Sequence, residues 1–232
     1  MKNYTLPEKK KKLKSAITKA LKLAHKEIKI LGKKHYKEEN LRYLVASEIS
    51  KVNCFGNFPN LEESGPHLCF ESHYIYRGLK KDSQLKPDIV SLLKTPTGKA
   101  YAVNSLLAVE LKQNGSISGS AVNKGVNHAD LKAQINKLGP CIESDIIKSR
   151  IYLTNKDLFT FDISAVIHLV AKAEEYEIVE LNKMLNRQRK ALRETNEITN
   201  KNLLFAWFNP LIKKPELIWL NQPNEIKLGR VK

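Results

Sequence analysis

The chain is poor in the residues that build covalent or metal-clipped frameworks. Its three cysteines, Cys54, Cys69 and Cys141, are odd in number, far apart and without Cys-x-x-Cys spacing. Neither a disulfide framework nor a structural zinc site is indicated, and a reducing, cytoplasmic compartment is expected. None of the six histidines forms a His-x-x-x-His doublet, so no metal-binding or catalytic role falls to them. No apolar run approaches the roughly 18 residues needed to span a bilayer, and the lysine-rich N-terminus lacks the apolar segment of a signal peptide. No membrane partner is expected. Acidic residues are scarce: 24 Asp and Glu stand against 40 Lys and Arg, a formal net charge of +16. Such an excess favours densely negative partners, nucleic acid before anionic membrane, although it would also serve solubility alone.

What the chain does contain is apolar material for one core, with 42% hydrophobic residues over 232 positions. Its most informative stretch runs from Leu85 to Lys112. Two apolar runs, Ile89 to Leu93 and Ala100 to Leu111, flank a Pro/Gly turn at Thr95 to Lys99 and predict a β-hairpin. Side chains alternate along the second strand, so Leu106, Ala108, Glu110 and Lys112 share one face while Leu107, Val109 and Leu111 share the other. An acid and an amine on one face at the end of a buried strand, with Asp88 entering the neighbouring strand, are suited to holding a divalent cation beside a fixed positive charge. An ordinary solvated strand end would show the same pair.

Pro87-Asp88 followed by Glu110-Leu111-Lys112 resembles the PD-(D/E)xK signature of the restriction-endonuclease-like nucleases. The resemblance implies an α/β fold with an αβββαβ core, a central mixed sheet flanked by helices. It also implies that Asp88, Glu110 and the Leu111 carbonyl hold Mg²⁺, with Mn²⁺ as a substitute, and that Lys112 orients the attacking water. Glu48 matches the acid that such nucleases carry on the helix before the sheet. The activity implied is a Mg²⁺-dependent DNA endonuclease, a type II-like restriction enzyme being one form of it. An exonuclease, a repair or transposition nuclease on the same core, or a non-catalytic basic nucleic-acid-binding protein are the alternatives.

Periodicity places the elements around this stretch. Pro7 to Leu31 predicts a helix with an apolar stripe (Leu13, Ile17, Leu21, Ala24, Ile28, Leu31) and a lysine-laden remainder, ended by Gly32. A second helix, about Lys37 to Val52, places Glu48 on the stripe of Leu41, Leu44, Val45, Ile49 and Val52. An unpaired carboxylate there would be costly, so Glu48 is expected to have a cation, a metal or a raised pKa, or to reach water from the helix margin. His67 to Arg77 reads as a first strand. The Gly/Ser-rich run after Lys112, to Gly125, reads as a flexible segment able to close over a bound strand or as a surface loop without a role.

Asn127 to Leu138 predicts a helix closed by Gly139, with Lys132 as a candidate phosphate contact; Gln134 resembles the glutamine that some phage-exonuclease-like relatives place on the helix after Glu-x-Lys, which implies a nucleic-acid contact there. Arg150 to Thr154 reads as a further buried strand. The chain is then expected to form a single domain: a basic N-terminal helix over 1–36, the catalytic core over 37–154 and a helical C-terminal elaboration over 155–232. From Asp162, an acceptable N-cap, residues without Gly or Pro continue to Asn209 and suggest one long helix or two. Lys183, Arg187, Arg189 and Lys190 on it are suited to a DNA backbone, to the flanks of a homodimer seam, or to solvent. Phe205, Trp207, Phe208 and Trp219 lie in apolar company and are expected in the core.

Overall fold

A computed structural model describes residues 4–32, 35–56, 65–70, 87–94, 101–119, 135, 137–154, 160–170, 175–194, 202–209 and 214–229. Helix α1 (Leu6–Leu31) begins at Thr5, whose backbone N–H donates to the Glu8 carboxylate (2.7 Å) while its hydroxyl accepts from the Glu8 amide (3.5 Å). This reciprocal cap satisfies two donors that the first turn would otherwise leave open. The helix ends at Gly32, whose φ of 80° suits a residue without Cβ. Its stripe from Leu13 to Ile28 is buried, and only Leu31 of the expected set is exposed. Helix α2 (Glu38–Ser50) packs on α1 and buries Leu41, Val45 and Ile49.

Strands β1 (Gly65–Phe70), β2 (Ile89–Lys94) and β3 (Tyr101–Gln113) form an antiparallel meander, with the predicted hairpin in place; its turn lies outside the described residues. Helix α3 (Ile142–Thr154) leads to β4 (Thr160–Leu169), which runs parallel beside β3. Helix α4 (Glu175–Glu194) leads to β5 (Asn202–Phe208), parallel to β4, and β6 (Glu216–Trp219) closes the sheet antiparallel to β5. The result is an α/β protein with one six-stranded mixed sheet in the order β1 to β6. Both parallel crossovers step the same way across the sheet, and right-handed crossovers of that kind place α3 and α4 on one face. Residues of α1 and α2 cover the other.

Two expectations about the second half are corrected. Arg150 to Thr154 is the last turn and more of α3, not a strand. From Ile142 to Leu153 every residue of α3 except Lys148 is buried, so the segment lacks the one-sided periodicity that identifies a helix and reads like a buried strand. The region 155–232 is not a helical elaboration either: β4, β5 and β6 lie in it and complete the sheet. Asp162 is an exposed residue inside β4 and pairs with Lys9 (3.4 Å), rather than capping a helix. Interior parallel strands are apolar throughout, and here no Gly or Pro marks the changes from strand to helix and back. Phe205, Trp207 and Phe208 are core as expected, while Trp219 is half-buried.

The apolar residues Ile178, Leu181, Leu185 and Leu192 of α4 are buried in the chain's own core. Among the described residues, no helix is long and apolar enough to cross a membrane.

Candidate active site

The β2–β3 ladder stops where Ile89 faces Val109, yet β3 continues to Gln113. The next two amides on that edge are taken by side chains. The Leu111 N–H donates to Asp88 Oδ2 (2.6 Å) and the Gln113 N–H to Glu38 Oε2 (3.2 Å). Pro87, without an N–H, immediately precedes Asp88 at the point where β2 begins. Asp88 is therefore held at the side of the Glu110-Leu111-Lys112 backbone. In a strand the N–H and C=O of one residue point to the same edge, so the Leu111 carbonyl lies on the Asp88 side as well. Arg42 of α2 fixes the other Asp88 oxygen (3.0 Å).

Glu110 points to the opposite face of the sheet from Leu111 and meets α3. Its Oε1 accepts from the Tyr152 hydroxyl (2.6 Å) and its Oε2 lies 3.6 Å from the Lys148 ammonium. Lys148 also donates to Asp145 Oδ1 (2.9 Å), and Lys112 reaches to 3.8 Å from Asp145 Oδ2. Asp145, Lys148 and Tyr152 were not singled out by the sequence. Their i, i+3, i+7 spacing places all three on one helical face, a signal that vanishes when 150–154 is read as a strand.

Three carboxylates in so small a buried space disturb one another. Burial pushes the Asp88 carboxyl up to about 6, against the Leu111 amide and Arg42, which favour its anion, and with the help of Glu38 and Asp145. Glu110 is held well above the usual carboxylate range, first by burial and then by Asp145 and Asp88, with Lys148 and the Tyr152 hydroxyl opposing. Burial would push Lys148 down, but Glu110 and Asp145 raise it above the ordinary lysine value and keep it charged. Strongly perturbed groups clustered at one edge of a sheet mark a candidate catalytic site.

Among the described residues, no three His, Cys, Asp or Glu side chains converge closely enough to close around an ion. The donor set is nevertheless of the kind Mg²⁺ takes: hard oxygens from Asp88, Glu110 and the Leu111 carbonyl, with water able to complete the shell. Asp145 Oδ2, buried and without a hydrogen-bond partner, is a further oxygen still lacking full compensation. Lys148, between Glu110 and Asp145, supplies the positive charge that these acids require.

Glu48 stands apart from this cluster. Buried as expected, it accepts from Lys51 (2.6 Å) and lies 3.0 Å from Lys19, so it joins α2 to α1. Burial opposes its ionisation, but these two ammonium groups prevail and hold its pKa below the usual value. Six residues, about 9 Å of helix axis, separate it from Arg42. Glu48→Gln should accordingly leave phosphodiester cleavage within a few-fold of the parent and cost no more than about 1 kcal/mol, since both lysines are largely exposed and screened. Cleavage rates and urea unfolding of the variant test this, and a loss matching that of Glu110→Gln would return Glu48 to the site.

The expected phosphate-contacting side chains are largely engaged elsewhere. Arg187 pairs with Glu143 (2.6 Å), Arg189 donates to the Pro223 carbonyl (2.8 Å), and Lys183 pairs with Glu180 (2.9 Å); Lys190 is exposed. On α1, Lys10 donates to Asn202 Oδ1 and stands over the Trp219 ring, and Lys14 donates to the Leu217 carbonyl. Lys132 and Gln134 lie outside the described residues, as does most of their predicted helix; Ile135, Lys137 and Leu138 are helical. The first part of the Gly/Ser-rich run is fastened rather than flexible. Ser116 and Ile117 carbonyls accept from the Ile142 and Glu143 amides, and the Ser118 hydroxyl donates to Glu143.

His168, on β4, is buried with Nδ1 3.3 Å from the Lys112 carbonyl. Burial pushes its pKa down to about 4, with the charge of Lys112 adding to the effect and the Lys112 carbonyl opposing it. The unfolded ring titrates near 6.5, so below that pH the unfolded chain takes a proton that the folded one refuses, and stability falls until about pH 4. The difference between parent and His168→Asn, which retains a donor toward Lys112, should shrink by about 2 kcal/mol between pH 7 and pH 5. Parallel stability curves in urea unfolding across that range would contradict the assignment.

No protein-family model, curated protein or solved structure matches the chain.

Proposed function

We propose that the chain is a Mg²⁺-dependent DNA endonuclease on a restriction-endonuclease-like core, with a type II-like restriction enzyme as its finer form. The observation that carries this reading is the hydrogen bond from the Leu111 amide to Asp88, which sets the Pro-Asp carboxylate beside the Glu-x-Lys strand. The element order α2, β1, β2, β3, α3, β4, with β4 parallel beside β3, supports it.

Asp88, Glu110 and the Leu111 carbonyl would hold the ion, which when bound supplies Lewis-acid neutralisation of phosphate charge. Arg42 and the Leu111 amide orient Asp88, and Tyr152 orients Glu110, so neither carboxylate is free to turn away. Lys112 would position the attacking water and offset phosphate charge from the Glu110 face. Lys148, kept cationic by Glu110 and Asp145, would add to that positive field. The net charge of +16 supplies long-range attraction to the polyanion.

Incubating the protein with circular plasmid in Mg²⁺ beside an EDTA control tests the reading. Nicked or linear product in Mg²⁺ alone is expected. Cleavage of linear but not circular DNA would indicate an exonuclease, and DNA binding without cleavage a non-catalytic binding protein.

A further inference from the structure

Beside the acidic cluster, at the carboxyl ends of the parallel strands β3, β4 and β5, lies a cavity of about 220 Å³. Open α/β sheets bind ligands at that end. It shares parts with the site: Gly115 packs so closely on Lys112 that an added Cβ would stand 2.4 Å from its Cγ, and His168 meets the Lys112 carbonyl. We infer that this cavity receives one unpaired nucleobase of the strand being cut, in preference a base with an exocyclic amino group.

Size, polarity and charge carry the inference, which rests on the nuclease reading above. An apolar cavity of about 150 Å³ admits a benzene ring, so this one has room for a heteroaromatic ring. Its walls are mainly apolar, from Ile117, Val170, Leu181 and Trp207. Among the described residues no lysine or arginine lines it, and Glu177 does, which disfavours a phosphate and suits an uncharged ligand with an amine to donate. His168 supplies a second acceptor: the Lys112 carbonyl can only accept, so Nδ1 bears the proton and Nε2 is left with a lone pair. A base stacked inside a duplex cannot enter such a recess, so the nucleotide would have to be single-stranded or turned out of the helix.

The test uses the full chain in Ca²⁺ with single-stranded oligonucleotides carrying one 2-aminopurine at successive positions. At one position the fluorescence should rise as the base leaves its stacked neighbours. Ser116→Trp, which fills the cavity from an exposed position, should abolish that rise and weaken binding about tenfold, the loss expected for one base deprived of its site. Should Ser116→Trp fail to fold, Glu177→Gln remains: it should reduce the preference for adenine or cytosine over thymine at the responding position. Binding without a responding position, an unchanged response in Ser116→Trp, an unchanged preference in Glu177→Gln, or no binding at all would each overturn the inference. A response without cleavage in Mg²⁺ would overturn only the nuclease reading, and cleavage without a response only the base site.

Discussion

Glu110→Gln should abolish cleavage while leaving the protein folded. Loss of a partner that merely orients a metal ligand costs about 10- to 100-fold, so loss of a ligand charge should exceed about a hundredfold. The amide still offers an oxygen to the Tyr152 hydroxyl, and it removes a buried charge that Asp88 and Asp145 oppose, so the unfolding transition should stay in place or rise. DNA binding in Ca²⁺ should persist, since one negative charge fewer faces the phosphates. Plasmid cleavage, thermal unfolding and anisotropy on the same preparation separate these effects. Cleavage near the parent rate would remove Glu110 from the chemistry and the metal assignment with it. Because Asp88 takes up a proton near pH 6, metal affinity should also weaken as the pH falls through that value.

Glu143→Leu should produce the largest loss of stability. Glu143 is fully buried, and its oxygens accept from Arg187 Nε and a terminal nitrogen (3.2 and 2.6 Å), Gln188 Nε2 (2.8 Å) and the Ser118 hydroxyl (2.8 Å). Truncation leaves a cation and a buried amide without their acceptor, a loss of about 3 kcal/mol, the low end for a broken buried pair because Arg187 can turn partly to water. At this chain length that lowers the unfolding midpoint by roughly 10 °C. Glu143→Leu with Arg187→Leu should recover part of it, since the stranded cation is gone. The network also anchors residues 116–118, four residues beyond Lys112, so the single variant should lower cleavage as well. An unfolding midpoint equal to the parent's would show that the network contributes no net stability.

Much of the first half was legible without coordinates, because its signals are local. The stripe of α1, the stop at Gly32, the hairpin and the common face of Glu110 and Lys112 follow from helical and strand periods and from turn residues. Pro87 and Asp88 were readable as a pair for the same reason. Glu48 was legible as a buried acid in need of a partner; of its two partners Lys51 is local, three residues on, whereas Lys19 arrives from another helix and only the packing reveals it. The second half has weak local signals. In α3, β4 and β5 apolar residues face protein on nearly every side, so neither the 3.6 nor the 2 period survives, and only pairing with β3 decides that 160–169 and 202–208 are strands. Asp145, Lys148 and Tyr152 entered the site through that packing: 35 residues or more separate them from Glu110 in the chain, and the crossover from β3 through α3 to β4 brings them to its face. The composition alone determined a basic chain able to bury one core; the sheet order decided which acids and cations share one edge.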